Sequence, residues 1–358
     1  MTTQPQDNPQ PMSDPQDIRL PDPAKLVVSS SPHVHAPQDV RRIMLTVILT
    51  LLPACAAGVF YFGMPALWVL GVSTVSCVVF EALFTRMLGK PSTVGDLSAV
   101  LTGILLGMNL SAATPWWVCV IGALLAMGLG KHIYGGLGYN PFNPALVARV
   151  GLLIAFPGYL TTWVPPDGGQ WATRLADGAA MDAVTTATPL YAIPAALQTG
   201  GSADYAYWDY FLGNIGGCIG ETSAAALLLG GIVLIALRLI RWEVPLAFLG
   251  TVLVITGLVY ATSSGTQPTP LFHILTGGLF LGAIYMATDM VSSPMTKTGA
   301  LIFGAGCGLI TCVIRIWGSY PEGVSFSILF MNALVPLIDR YTRRRPFGAR
   351  RANAKAEA

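Results

Sequence analysis

The sequence predicts an all-α polytopic membrane protein: about ten transmembrane helices in two inverted five-helix repeats, with a periplasmic insertion between them. Three observations predict this. Only 11% of the 358 residues are charged and 53% are hydrophobic, whereas a soluble chain carries about 25% charged residues and needs them to cover its surface. Apolar runs of about 20 residues, the length that spans a bilayer, recur ten times along the chain. Lys and Arg gather on alternate connections, as they do on cytoplasmic loops.

Residues 1–39 are polar and rich in Pro, Gln and Asp, the composition of a disordered cytoplasmic tail. Runs 40–63, 65–88, 93–111, 115–134 and 144–161 form the first repeat, 40–161. A polar insertion follows at 162–220, in which 207–219 is apolar enough for a half-helix. Runs 221–240, 244–263, 271–290, 299–317 and 323–341 form the second repeat, 221–341, and 342–358 is a basic cytoplasmic tail. With both termini in the cytoplasm, every Lys and Arg lies inside except Arg174 and Arg315 outside and Arg149 within a span. The reverse orientation inverts this bias and is rejected. The insertion therefore faces the periplasm or cell exterior.

Local similarities link the halves. Leu101-Thr102-Gly103 is matched by Leu275-Thr276-Gly277, and Asn143-Pro144-Ala145-Leu146-Val147 by Asn332-Ala333-Leu334-Val335. Five spans is an odd number, so the second half is inverted relative to the first, as in many transporter folds. Chance similarity of Leu-, Gly- and Ala-rich segments is the alternative.

Acids beside or within the spans are few: Glu81, Asp96, Glu221 and Asp289. Intramembrane carboxylates are costly and are functional candidates by default, so Asp96 and Asp289 are candidates for an ion path. The structural alternative pairs Glu81 with Arg86 and Asp96 with Lys90. Arg149 needs a carboxylate or helix-end carbonyls. The run Gly138-Tyr139-Asn140-Pro141-Phe142-Asn143-Pro144-Ala145 holds two Asn-Pro pairs, which break helical geometry and free backbone groups. Such backbone is tolerated at membrane depth where it lines a cavity. Asn140 and Asn143, with nearby Lys131, are candidates for an ion or cofactor site; capping asparagines in a turn are the plainer reading.

Six cysteines show no CxxC spacing and fall mostly in apolar runs, as small buried hydrophobes do. Neither they nor the four histidines form a metal constellation, so no metal is assigned. A net charge of +2 does not imply a nucleic-acid partner.

The insertion carries Asp182-Ala183-Val184-Thr185-Thr186-Ala187-Thr188-Pro189-Leu190. By chemistry alone this offers hydroxyls on an open outward loop, or a Thr before Pro capping a helix. Together with Ser30-Ser31-Pro32-His33, the double Asn-Pro run and Thr288-Asp289-Met290-Val291-Ser292-Ser293-Pro294, it resembles the D subunits of the Rnf ion-translocating electron-transport complexes. These are relatives of the B subunits of sodium-pumping NADH:quinone reductases, and the resemblance runs from Ser30 over nearly the whole chain. Thr185-Thr186-Ala187-Thr188 matches the family's flavin-attachment motif, although Thr186 replaces a more usual Gly or Ser.

The resemblance implies FMN joined to Thr188 by a phosphoester, with Asp182, Thr185 and Ala187 as motif positions and a flavin transferase as the attaching enzyme. It also implies a second flavin, riboflavin, for which Asn140, Asn143 and Lys131 are candidates. The implied activity is electron relay between ferredoxin and NAD, coupled to Na+ or H+ translocation across a bacterial inner membrane. Such a subunit is not catalytic alone. Implied partners are the FMN-bearing G subunit, the C subunit, the membrane A and E subunits and the iron–sulfur B subunit. The competing reading is a secondary transporter or channel with an inverted-repeat fold and no flavin.

Overall fold

The computed structural model describes residues 39–166, 187–199, 205–263, 266–318, 320 and 322–342. The terminal tails and most of the insertion, including Arg174, Asp182, Thr185 and Thr186, lie outside the described residues. Those described form helices and connections, with no β-strand among them.

The apolar runs become helices of two kinds. Five are long and apolar enough to cross a membrane: α1 (Val40–Phe62), α2 (Met64–Met87), and, later in the chain, helices Glu243–Thr262, Lys297–Trp317 and Val324–Thr342. The chain is an integral membrane protein. The other predicted spans are shorter than expected. Helix α3 (Ser98–Met108) has 11 residues and so rises about 16 Å, half of a hydrocarbon core of about 30 Å. Helix α4 (Trp116–Met127) continues as a π turn, Gly128–His132. Helix α5 (Pro144–Ala155) stops where Pro157 follows Phe156.

Beyond the insertion come α6 (Pro189–Gln198), α7 (Tyr207–Leu212), α8 (Ala224–Ala236) and α9 (Glu243–Thr262). The half-helix expected over 207–219 is only α7, ended by Gly213 at φ 109. The run expected to be one span at 271–290 is broken. Helix α10 (Pro270–Leu275) ends at extended Thr276, Gly277 turns at φ 73, and helix resumes through Leu279–Leu281 and a π turn at Gly282–Met286. Helices α11 (Lys297–Trp317) and α12 (Val324–Thr342) complete the fold.

Small residues set the closest contacts. A Cβ on Gly103 of α3 would lie 2.5 Å from Thr74 Cα, and one on Gly107 would lie 2.5 Å from Ser73 Oγ. Ser73 of α2 donates to the Gly103 carbonyl at 3.0 Å. In the second half, Gly304 and Gly308 of α11 press on the α9 backbone: their Cβ positions fall 2.6 Å from Val244 O and 2.8 Å from Phe248 O. Lipid gives helices no hydrophobic reason to associate, so close van der Waals packing across small residues carries the interface.

The pairings α2 with α4 and α4 with α5 recur as α9 with α11 and α11 with α12, while α1 meets α8 and α5 meets α12. The short sequence matches between the halves fall in the third and fifth runs of each half but in different local settings. Asn143 caps the start of α5, whereas Asn332 lies buried within α12. Thr102 and Gly103 lie inside α3, whereas Thr276 and Gly277 end α10.

Candidate functional site

At the end of the bundle holding the C-termini of α2 and α4, Glu81 is fully buried. Its two oxygens take Lys131 Nζ at 2.8 Å and His132 Nε2 at 2.9 Å. The Thr93 hydroxyl donates to the same carboxylate. Glu81 thus pairs with the π turn rather than with Arg86. A buried carboxylate needs such partners, since an unpaired charge there is very costly, and single π turns concentrate at functional sites. Lys131, 2% exposed, also donates to Ser98 Oγ at 2.8 Å. Asp96 accepts from Ser98 N (2.8 Å) and Ser98 Oγ (2.6 Å). It does not pair with Lys90, which donates to Gly135 O.

Ser98 and Lys131 open onto a cavity of about 60 Å³ that Asn140, Asn143, Tyr285 and Asp289 also line. Asn143 Oδ1 caps Ala145 N at 3.0 Å, and its amide donates to Met286 O at 3.3 Å. It therefore ties the double Asn-Pro turn to the second half. Asn140 donates to Phe142 O, while its Oδ1 is buried without a partner. Asp289 accepts from Ser292 Oγ at 2.9 Å. A second cavity of about 50 Å³ shares Met44, Leu101, Tyr285 and Asp289 with the first. Four of the five candidates at this end, Lys131, Asn140, Asn143 and Asp289, thus meet around one space, and Asp96 reaches it through Ser98.

At the opposite end, Thr188 occupies the N-cap position of α6 with φ −63 and ψ 149. Its carbonyl accepts from Tyr191 N and Ala192 N, but its hydroxyl makes no capping bond. The capping reading therefore holds for the backbone and fails for the side chain. Ala187 is exposed. Thr188 itself is only 5% exposed, against the expectation of an open loop. Leu190, two residues on, packs with Tyr210, Ile215 and Phe272 and draws the start of α6 against the bundle.

Next to Leu190 lies Gly277, where a Cβ would be 2.6 Å from both Leu190 Cδ1 and Arg315 Nη2. Arg315 donates to the carbonyls of His273 (2.6 Å) and Thr276 (3.2 Å), and its Nε is buried with no partner. Arg315 thus lies beside Leu190, two residues from Thr188, and a guanidinium matches phosphate geometry.

Arg149 finds its carboxylate in Glu322, which the sequence pattern does not single out. Its other nitrogen contacts the Asn109 carbonyl, Asn109 Oδ1 (3.2 Å) and Cys218 Sγ (3.2 Å). An arginine inside an apolar run demands an acid nearby; that signal exists in the sequence, but not the identity of the acid. All six cysteines are free.

Residues 27–348 match the model of the NQR2, RnfD, RnfE family. A relative from Stutzerimonas stutzeri, the D subunit of an ion-translocating oxidoreductase complex, is 45% identical over 87% of this chain and 92% of its own length. The D subunit of a sodium-translocating ferredoxin:NAD+ oxidoreductase complex from Acetobacterium woodii is 42% identical, over 93% of this chain and 98% of the relative. A proton-translocating counterpart from Clostridium ljungdahlii is 43% identical, over 90% and 96%.

Proposed function

The chain belongs to the NQR2, RnfD, RnfE family, and we propose that it is the D subunit of an ion-translocating ferredoxin:NAD+ oxidoreductase, carrying covalent FMN on Thr188. One observation carries the flavin assignment: Thr188 ends the Thr-Thr-Ala-Thr motif and is held at a helix start with its hydroxyl uncommitted. The bound flavin supplies the electron chemistry, and the protein supplies position and electrostatics.

The second flavin, riboflavin, we assign to the opposite end. Lys131, Asn140 and Asn143 offer amide and ammonium groups to a ring edge, and Asn140 Oδ1 is unpaired. Neither cavity, at about 60 and 50 Å³, holds a three-ring system as packed. Asp96 and Asp289 are the ion-path candidates at the same end.

Ten membrane-crossing segments, several of them short or broken, form two inverted five-helix repeats. The recurrence of the same helix pairings in both halves supports this. The protein sits in a bacterial inner membrane with both termini in the cytoplasm, and docks the G, C, A, E and B subunits. The relatives' names assign sodium to one and protons to another at nearly equal identity, so resemblance does not choose the ion.

Thr188→Val removes the hydroxyl at almost constant shape. The denatured band should lose its flavin fluorescence, Thr186→Gly should keep it, and released riboflavin should be unchanged in both. Fluorescence persisting on denatured Thr188→Val would refute the assignment.

A further inference from the structure

Beside the Arg149 cluster lies a feature that the flavin reading does not use. Glu221 is 7% exposed and forms no ion pair among the described residues, and its Oε1 is buried with no partner. Glu322 gives Oε2 to Arg149, but its Oε1 is likewise buried and unpartnered. Both unpartnered oxygens face one spot. A Cβ built on Gly278 would lie 3.8 Å from Glu221 Oε1 and 4.0 Å from Glu322 Oε1. Ligand atoms of Cys218, Glu221 and Glu322 all fall within 4.8 Å of one another. That separation lets one ion touch both carboxylates, since oxygens sit about 2.3–2.6 Å from a cation of calcium size, which is also the size of sodium.

We propose that Glu221 and Glu322 hold a sodium ion beside Gly278. With two arginines already beside the two acids, a monovalent ion adds the least charge. Arg149 pairs with Glu322, Arg315 donates to the carbonyls of His273 and Thr276 rather than to either acid, and Glu221 has no ion-pair partner among the described residues, its Oε1 left without a donor. A buried carboxylate does not persist in that state without a cation or a proton. The thiol of Cys218 is engaged by the Asn109 carbonyl at 3.2 Å and by Arg149, so hard oxygen ligands remain and a soft metal is disfavoured. The site would place an ion outside the cavity that Asp289 lines. It rests on the ion-translocation reading for its purpose, though not for its existence.

The test uses the purified full-length chain in nanodiscs, with NaCl set against choline chloride at equal ionic strength. Sodium should raise the unfolding midpoint of the native protein saturably, because a ligand that binds only the folded state stabilises it. Glu221→Gln should abolish the effect. Gly278→Ala keeps every charge, suits the backbone at φ −70 and puts a methyl group into the ion's space. It should weaken the apparent sodium affinity by about tenfold or more, equivalent to about 1.4 kcal/mol per tenfold.

An equal sodium response in Gly278→Ala would overturn the proposal. So would a response to Ca2+ or to acid with none to sodium. Sodium pumping by the whole complex without sodium stabilisation of this chain would refute the site and leave the proposed function standing. Absence of covalent flavin would do the reverse.

Discussion

Replacing Lys131 by Met tests how the cavity wall beside Glu81 is held. Methionine keeps most of the lysine stem and removes the ammonium. Glu81, 0% exposed, then keeps only His132 and Thr93 of its three partners. Removing one partner of a buried ion pair costs about 3–5 kcal/mol, because the other charge is left uncompensated. Glu81→Gln should cost a similar amount by stranding the ammonium against Ser98. The double variant removes both charges, and buried pairs replaced by neutral groups are close to neutral in stability. Its cost should therefore fall to about 1 kcal/mol, leaving a large coupling energy between two sites in direct contact. Reversible unfolding in mixed micelles of increasing SDS fraction, read by tryptophan fluorescence, measures all four proteins. A Lys131→Met loss below about 1 kcal/mol, or a double variant costing the sum of the singles, would refute the reasoning.

Two further outcomes follow from the same geometry. Gly277→Ala, at φ 73 with its Cβ forced to 2.6 Å from Leu190 and Arg315, should destabilise the chain by about 1–3 kcal/mol, while Gly250→Ala, which meets nothing within 4 Å, should be tolerated; matched unfolding curves check both. Asp96→Asn and Asp289→Asn should cut ion pumping by the reconstituted complex more than flavin content, and unchanged pumping in both would return these acids to a structural role.

The apolar runs announced the helices because each must bury its backbone polar groups within itself in lipid. Val40–Phe62 and Lys297–Trp317 follow their runs to within a residue or two. Hydropathy could not show that 93–111 holds only an 11-residue helix or that 271–290 breaks at Thr276 and Gly277. Gly and Thr are apolar enough to pass inside a span, and the break is fixed by Arg315 and Leu190 arriving from elsewhere in the chain. The motif singled out Thr188, but its burial and uncommitted hydroxyl follow from Leu190 docking against Tyr210 and Phe272.

Pairing was beyond the sequence for the same reason. Nearest charges in the chain suggested Glu81 with Arg86 and Asp96 with Lys90, yet Glu81 meets Lys131 fifty residues away, and Arg149 meets Glu322 from the connection between the last two apolar runs. Composition and apolar length determined that this protein lives in a membrane as a helical bundle, since transfer free energy sums along the chain. Which charges meet, where helices break and which carboxylates are left facing one another were decided by tertiary structure, since those depend on distances between segments that no local pattern encodes.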